Sequence, residues 1–312
     1  MAFQMKTINV SIITVNYNNA KLTLDFVKSL IMYFPSAFSY EVIVIDNAST
    51  ETLSLNLKEE LNSLDHPIVF YKSNQNLGFG GGNMLGNQLA VGQYLAFINN
   101  DVIITEDCFT PLIQFLEANT DVGVCSPQQL NIENKPVIGF DYFQGFRKEL
   151  FGRSFIEKFV KNHPKRKELP YTKPFEVPAI QGCFMFFNAE KFAEIGGFDT
   201  NLFLYFEEFD LCYRLKHKGY KSVLVPTSCF KHLVSATIRP NPLIKQELMI
   251  SRLYTYKKHY PYIKYKLLQC IILIKLSIET LFNKRKAKLF WIVFQGAPLK
   301  YSLKQLQKLN LK

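Results

Sequence analysis

The stretches VSIITVNYNN at residues 10–19 and VIVIDNAST at residues 42–50 decide the fold of this chain. Each begins with an apolar run of strand length, and residues 18–33 between them carry a helical pattern that ends before Pro35. An order of strand, helix and strand predicts a parallel sheet with right-handed crossovers. We therefore expect an α/β fold with a mostly parallel sheet flanked by helices.

The same alternation continues to residue 98, and polar residues stand where the expected strands end. Residues 68–73 form a third expected strand, residues 78–90 a glycine-rich turn with a helix, and residues 94–98 a fourth strand. In open parallel sheets, ligands bind outside the carboxyl ends of the strands. The candidates for nucleotide or donor binding are Thr14, Val15, Asn16, Tyr17, Asp46, Asn76, Gly78, Asn99 and Asn100.

Some of these positions indicate a particular chemistry, each with a simpler alternative. Asp46 can recognise a base or a ribose, but it can also be a turn or helix-cap residue. Gly78 and the three glycines after it allow close backbone approach to a phosphate, or they form a flexible loop. Asn99 and Asp101 place two oxygen-bearing side chains at one strand end, as a cation bridging a diphosphate requires, although a turn or cap also explains them.

Residues 196–232 combine a glycine turn, an aromatic run and the acids Glu207, Glu208 and Asp210. Neighbours on a helix point about 100° apart, so only one of the two adjacent glutamates can face a site. Nearby phenylalanines favour a raised carboxyl pKa, which suits a general base. Acid enrichment in a first helical turn is the simpler explanation.

Two further residues of this segment are assigned roles. Asp210 lies four residues before Arg214, the spacing of a helical ion pair, and we expect it to support the site. His232 follows an expected strand that ends at residue 225, where it is an ordinary loop histidine or a metal ligand. The remaining histidines are expected at the surface: His66, His163, His217 and His259.

Composition limits the class of protein. A chain of 312 residues with 48% apolar content can bury a large core. Its six cysteines include no C-x-x-C pair, which argues against a zinc site or a disulfide framework and favours a reducing compartment. The first residues do not resemble a secretory signal, so we expect a cytoplasmic protein.

The positive charge is concentrated at the C-terminal end. Residues 241–312 hold 15 Lys and Arg against two acids, a net +13, which leaves 22 basic and 24 acidic residues, a net −2, in residues 1–240. We therefore expect a catalytic domain at 1–240 and a basic amphipathic helical tail at 241–312. Such a tail suits an anionic partner, either nucleic acid or a membrane surface.

The apolar residues 267–282 favour the membrane alternative. The run is shorter than the roughly 20 residues that a spanning helix needs, but its lysine-rich flanks suit a helix lying in a bilayer interface. Packing against the catalytic domain is the other possibility. A near-neutral body with acids at the expected site argues against a nucleic-acid groove.

Six stretches in one order resemble the family 2 glycosyltransferases, and within them the bacterial rhamnosyltransferase-like group. The resemblance covers residues 8–240. It rests on the two stretches above and on NQNLGFGGGN (74–83), LAFINNDV (95–102), IQGCFMFFNAEKFAEIGGFD (180–199) and LYFEEFDLCYRLKHKGYKSVLVP (204–226), followed by His232.

The resemblance implies a GT-A fold of Rossmann-like type, a nucleotide-diphosphate sugar donor, a divalent metal and inversion at the anomeric carbon. By position, Asp46 resembles the contact to the nucleotide base, and Asp101 the last acid of the D-x-D metal motif. His232 resembles the histidine that completes the metal shell, and its imidazole suits Mn²⁺ as well as Mg²⁺.

The resemblance also implies that Glu208 is the catalytic base, with two departures from the family pattern. Asn99 replaces the first acid of the metal motif, which leaves Asp101 as the acid there. Glu208 stands where aspartate is usual, so Glu207 remains an alternative base.

These observations predict an inverting, metal-dependent glycosyltransferase of cell-surface polysaccharide synthesis. Its expected acceptor is a glycan or lipid-linked glycan at an anionic membrane surface, on the inner face of the cell membrane, and no nucleic acid is expected. The alternatives are a sugar-nucleotide nucleotidyltransferase and a non-catalytic nucleotide-sugar-binding protein. The sequence does not identify the sugar, the nucleotide, the linkage or the oligomeric state.

Overall fold

The computed structural model describes residues 8–160, 163–233 and 241–307. Within these ranges the strands, in chain order, are β1 (Val10–Asn16), β2 (Tyr40–Asp46), β3 (Ile68–Lys72), β4 (Tyr94–Ile98), β5 (Val102–Ile103), β6 (Val122–Leu130), β7 (Phe140–Asp141), β8 (Phe175–Glu176), β9 (Ala179–Ile180), β10 (Phe184–Asn188) and β11 (Lys221–His232). The helices are α1 (Ala20–Tyr33), α2 (Glu51–Asn62), α3 (Gly78–Asn87), α4 (Phe109–Ala118), α5 (Phe146–Phe151), α6 (Arg153–Glu157), α7 (Ala189–Glu194), α8 (Glu207–His217), α9 (Pro242–His259), α10 (Tyr262–Phe282) and α11 (Ala287–Phe294).

The main sheet has the order β3-β2-β1-β4-β10-β6-β11-β5, with β8 beside β11. The first four strands in this order pair in parallel, as do β6 and β11. Strand β10 is antiparallel to both of its neighbours, β4 and β6. The predicted α/β fold with a mostly parallel sheet is confirmed, and β5, β6, β8 and β10 are strands of this sheet that the sequence analysis did not predict.

The strands are apolar on both faces because helices cover both sides of the sheet. Val10 and Ile12 of β1 pack into a core with α1, α2 and α4, whereas Ile13 packs into the core that includes α7 and α8. All three side chains are fully buried. This double burial explains why the strands read as continuous apolar runs rather than as alternating patterns.

The strand carrying His232 is longer than expected. The sequence suggested an end at residue 225, but β11 continues to His232 after an irregularity between Val225 and Cys229. This extension pairs His232 with Val102 of β5. Residue 232 is therefore held at a strand end rather than in a free loop.

The C-terminal helices form a core of their own. Leu253 and Tyr256 of α9, Leu268 and Ile272 of α10, and Val293 of α11 are buried together. The predicted helical extension is confirmed. The proposed domain boundary at residue 240 and the last five residues of the predicted tail lie outside the described residues.

Helix α10 contains the apolar stretch 267–282 singled out in the sequence. Across the described ranges, no helix is both long enough and apolar enough to cross a bilayer. One side of α10 contributes to the tail core, while Ile274, Ile278 and Leu281 are more than half exposed. The helix therefore packs on the protein and also leaves an apolar face open.

Candidate active site

Strands β1 and β2 end side by side, with Asn16 and Asp46 in register. The Asp46 carboxylate is fully buried, and its Oδ1 accepts a hydrogen bond from Asn16 Nδ2 at 2.7 Å. Asp46 Oδ2 and Thr14 Oγ1 are buried and have no hydrogen-bond partner among the described residues. A buried unpaired polar atom costs about 1–3 kcal/mol. These two atoms are therefore candidates for hydrogen bonds that the described residues do not supply.

A chain of hydrogen bonds links this pair to the end of β4. Asn100 Nδ2 donates to Thr23 Oγ1 at 2.9 Å, and Thr23 Oγ1 donates to Asn16 Oδ1 at 2.9 Å. Asn16 then donates to Asp46, which orients the carboxylate. The sequence placed Asn16 and Asn100 in the site, and the structure shows both orienting their neighbours. Tyr17, the last residue of the predicted strand end, is 47% exposed.

Residues 74–78, here called the donor loop, lie against the end of β2. Asn47 Nδ2 donates to Asn76 Oδ1 at 2.9 Å and to the Gly78 carbonyl at 3.1 Å. Asn47 Oδ1 accepts from the Leu77 amide at 2.8 Å. One side chain, next to Asp46 in the sequence, thus holds three consecutive residues of the loop.

Gly78 is required by the contact of the donor loop with the segment before α8. Its φ is +75°, and a Cβ atom there would lie 2.1 Å from the Phe203 carbonyl oxygen. The next amide, of Phe79, donates to that oxygen at 2.8 Å. Packing therefore accounts for this glycine, and its contact with a phosphate stays a prediction. Val15 of β1 lies close to Gly82 of helix α3.

The structure brings Asp101 and His232 together. Nε2 of His232 lies 3.0 Å from Oδ1 of Asp101, and its Nδ1 lies 3.1 Å from Gln129 Nε2. Burial opposes a charged ring, but the hydrogen bond to Asp101 raises the pKa of His232 to about 10. The backbone of Asn99 forms the turn beside them, accepting from the Val102 amide at 3.2 Å.

The donor set of this pair fits a divalent cation. A carboxylate oxygen and a neutral imidazole nitrogen are ligands that Mn²⁺ accepts, and Mg²⁺ takes the carboxylate readily. A metal bound here would displace the proton that the hydrogen bond to Asp101 favours on the ring. In the described part of the chain, no group of three or more His, Cys, Asp or Glu could hold a metal. A metal held by Asp101 and His232 would need further ligands from a bound molecule.

The two adjacent glutamates have different surroundings. Tyr205 and Phe206 precede α8 with φ values of 72° and 71°, a left-handed turn that non-glycine residues adopt only at a cost. Glu207 follows this turn and is 3% exposed. Its Cγ lies 3.5 Å from the point that a Cβ atom would occupy if Gly80 were replaced by alanine. Its Oε1 has no hydrogen-bond partner among the described residues.

Glu208 is partly exposed and faces another part of the site. Its Oε2 lies 4.0 Å from the position of a Cβ on Gly182, where the ring of Phe79 also approaches. Burial, and to a lesser extent Asp141, raise the pKa of Glu208 to about 7, against the opposing charge of Lys148. Burial and the charge of Glu208 raise the pKa of Glu207 well above its usual range. Glu208 is thus the less buried of the two glutamates.

Asp210 joins α8 to the tail. Its Oδ2 accepts from Arg214 at 2.6 Å, the predicted i,i+4 ion pair, while Oδ1 lies 2.7 Å from both Lys258 Nζ and His259 Nε2. Burial opposes ionisation, but the hydrogen bond to His259 and the charges of Arg214 and Lys258 lower the pKa of Asp210 to about 2. The surface position expected for His259 is wrong, because its side chain is 6% exposed against Asp210.

The fold and this arrangement of strand ends and acid-bearing helix define the GT-A class. The chain belongs to glycosyl transferase family 2, whose family model matches residues 11–196. The expected family is therefore confirmed, while the narrower rhamnosyltransferase-like group stays a prediction.

Curated relatives include N-acetylgalactosaminyltransferases. N-acetylgalactosaminyltransferase 4 of Drosophila melanogaster is 23% identical over 241 residues, which are 74% of this chain and 36% of that protein. N-acetylgalactosaminyltransferase 7 of Homo sapiens is 26% identical over 235 residues, 72% of this chain and 35% of that protein. The chain thus spans about a third of the length of these relatives.

Solved structures share the fold at low sequence identity. The structure of GalNAc-T7 with UDP, GalNAc and Mn²⁺ has a TM-score of 0.58 at 19% identity and covers 81% of this chain and 50% of that one. Mannosyltransferase PcManGT from Pyrobaculum calidifontis, in complex with GDP-Man and Mn²⁺, has a TM-score of 0.56 at 13% identity and covers 95% and 88%. S. aureus TarS 1–349 has a TM-score of 0.55 at 14% identity and covers 94% and 82%.

Sequence reasoning missed three residues that organise the site: Thr23, Asn47 and Gln129. Asn47 could have been found, because it directly follows Asp46 at a strand end. Thr23 and Gln129 lie inside a helix and a strand and carry no local signal. Their roles depend on partners distant in the sequence.

Proposed function

We propose that this protein is an inverting, metal-dependent glycosyltransferase. It moves a sugar from a nucleotide-diphosphate sugar to a hydroxyl of a glycan or lipid-linked glycan. The observation that carries this proposal is Glu208, which is less buried than Glu207, lies near Gly182 and the Phe79 ring of α3, and has its pKa raised by burial to about 7. A base of that pKa is partly ionised near neutral pH and still accepts a proton effectively.

The polar strand ends bind the nucleotide in this proposal. Asp46 Oδ2 and Thr14 Oγ1 accept or donate hydrogen bonds at the base, which satisfies two atoms that otherwise lie buried and unpaired. Asn16, Asn100 and Thr23 hold Asp46 in orientation. Asn76 and Gly78, which Asn47 holds next to Asp46, and Asn99 at the end of β4 would contact the diphosphate.

The reaction is a single displacement. Glu208 removes the proton from an acceptor hydroxyl while the hydroxyl oxygen attacks the anomeric carbon from the face opposite the diphosphate. The new carbon–oxygen bond forms as the bond to the diphosphate breaks, and the proton passes from Glu208 to water. Asp101 and His232 would hold the divalent metal, Mn²⁺ or Mg²⁺, whose charge would stabilise the leaving diphosphate.

The relatives guide the choice of donor for a first test. GalNAc-T7 binds UDP and GalNAc, and PcManGT binds GDP-Man, each with Mn²⁺. The rhamnosyltransferase-like resemblance adds dTDP-sugars. We propose a hexosyl or deoxyhexosyl donor for this chain, used in cell-surface polysaccharide synthesis.

A donor screen by thermal shift tests the proposal. We expect one class among UDP-, dTDP- and GDP-sugars to raise the Tm in the presence of Mn²⁺, because a ligand that binds only the folded state stabilises it. Addition of EDTA should remove most of this shift, and Asp46→Ala should abolish it. A protein that none of these donors stabilises, with or without Mn²⁺, would contradict the assignment.

The open face of the tail fits the proposed membrane location at the inner face of the cell membrane. Six of its apolar side chains are each more than half exposed: Ile274, Ile278, Leu281, Phe282, Trp291 and Phe294. Four basic residues lie next to them in the sequence: Lys284, Arg285, Lys286 and Lys288. Apolar insertion and attraction to anionic headgroups act together on such a face. The tail thereby holds the enzyme close to a lipid-linked acceptor.

Vesicle flotation tests this membrane contact with the full chain. The triple variant F282S/W291S/F294S should lose most of its binding to vesicles containing phosphatidylglycerol. The control M32S/V91S changes two side chains that are 73% and 71% exposed away from the tail. Equal flotation of the two variants would refute the docking face.

A further inference from the structure

The chain returns from the tail to the catalytic domain after α11. Residues 299–307, here called the strap, run back across α9 toward the donor loop. Glu247 of α9, which is 1% exposed, accepts from Ser302 Oγ at 2.8 Å and from the Leu303 amide at 2.7 Å. Lys304 Nζ donates to the Thr200 carbonyl at 2.6 Å. The strap is thus bonded both to Glu247 and to Thr200 before it reaches Gln307, its last described residue.

Gln307 ends the strap with a two-point contact to the donor loop. Its Oε1 accepts from the Asn76 amide at 3.0 Å, and its Nε2 donates to the Asn76 carbonyl. One side-chain amide therefore satisfies both backbone polar groups of a residue 231 positions earlier. This pattern imitates the exchange of two hydrogen bonds between neighbouring strands.

The donor loop is consequently held from two directions. Asn47, which follows Asp46, binds the side chain of Asn76 and the backbone of Leu77 and Gly78. Gln307 binds the backbone of Asn76 and comes from the opposite end of the chain. Residues 76–79 then have every amide hydrogen bonded.

We propose that Gln307 is a positioning residue that keeps the donor loop in the conformation that binds the donor. The inference rests on the proposed function, because it assumes that a nucleotide-diphosphate sugar contacts this loop. Without Gln307, the loop is held by Asn47 and by its contact with Phe203, and it opens more often. Apparent donor affinity falls with the fraction of protein in the competent conformation.

Amide hydrogen exchange measures the loop without any ligand. Each hydrogen bond makes only a modest net contribution to stability. Loss of the two bonds to Asn76 in Gln307→Ala should therefore speed amide exchange at residues 76–79 by about 5- to 20-fold. Gln305→Ala is the matched control, since the Gln305 side chain is exposed in the same strap. Gln307→Glu keeps an acceptor for the Asn76 amide but cannot donate to its carbonyl, and should be intermediate. Equal exchange in the Gln307→Ala and Gln305→Ala variants would overturn the proposal.

Binding and kinetics test the functional part. By titration calorimetry with UDP and Mn²⁺, we expect Gln307→Ala to weaken binding at least threefold, and donor KM should rise while kcat stays within twofold. If Gln307 only stabilised the fold, Gln307→Ala would lower the Tm without raising KM selectively over kcat. Faster exchange with unchanged UDP affinity would also overturn the proposal. If the unaltered protein bound no nucleotide in the donor screen, the proposed function and the donor role of Gln307 would fail together, while exchange would still report whether the contact holds the loop.

Discussion

Glu207 and Glu208 are adjacent and chemically identical, yet the structure gives them different surroundings. The left-handed turn at Tyr205 and Phe206 sets the start of α8, which turns Glu207 toward Gly80 and leaves Glu208 accessible. A base must reach an acceptor hydroxyl, so accessibility decides between them. This supports Glu208 as the base and leaves Glu207 as a buried packing residue.

We predict that Glu208→Gln lowers turnover about 10²- to 10⁴-fold, because general-base assistance contributes factors of that size. Donor affinity should persist, since Glu208 is not among the residues proposed to bind the nucleotide. Steady-state kinetics and calorimetry measure the two effects. Glu207→Gln is the matched control and should retain most activity, because the raised pKa of Glu207 already favours the protonated form. The reverse ranking of the two variants would assign the base to Glu207.

The pH dependence follows from the same carboxyl. Because the pKa of Glu208 is about 7, kcat/KM should rise as pH increases through 7 and level off above it. Stability should move the other way: between about pH 4.5 and 7, native Glu208 holds a proton that the unfolded chain has released, so stability falls as pH rises. Glu208→Gln should therefore raise the Tm at pH 8 more than at pH 4.5. Thermal melts showing an equal Tm change at both values would contradict the raised pKa.

At the scale of elements, Asp210 connects the catalytic helix to the tail. Arg214 of α8 donates hydrogen bonds to the Asp210 carboxylate and to the Gly197 carbonyl, and Lys258 of α9 pairs with the same carboxylate. The glycine turn, α8 and α9 therefore meet at this point. The sequence indicated the contact within α8, because its partners are four residues apart. The contacts with Lys258 and His259 join two helices about 50 residues apart and had no local signal.

Asp210→Asn should destabilise the protein by about 3 kcal/mol, because it leaves the partly buried Arg214 and Lys258 without their counter-charge. Chemical denaturation measures the change. The control is Asp121→Asn, which removes an ion pair of similar length with Lys221 whose side chains are both about half exposed, and it should change the denaturation midpoint little. An Asp210→Asn midpoint equal to that of the control would show that the buried contacts contribute nothing net.

Since the pKa of Asp210 is lowered, its contribution to stability is present above pH 3.8 and is lost as pH falls toward 2.

At the scale of the whole molecule, the tail packs against the candidate site. Helix α9 contacts the site through Asp210 and through Asp199, which accepts from Tyr254 and Lys258. The strap adds the Gln307 contact on the donor loop. A tail that docks on a bilayer in this way would connect membrane contact to the geometry of the donor site.

The amino-acid sequence by itself determined the parallel strands β1 to β4, the helices between them and the polar edge with Asp46 and Asp101. These follow from apolar periodicity and from which residues come after a strand, and both are local properties. Local pattern also explains the errors, because nothing near His259 signals a buried partner and nothing near residue 225 signals a strand that continues to His232.

Only the tertiary structure decided which glutamate is accessible, that Asp101 meets His232, and that Asn47 and Gln307 hold the donor loop from two sides. Each of these depends on a contact between segments far apart in the chain. Such contacts are set by how the cores pack and by which buried polar atoms find partners, and no spacing within one segment encodes them.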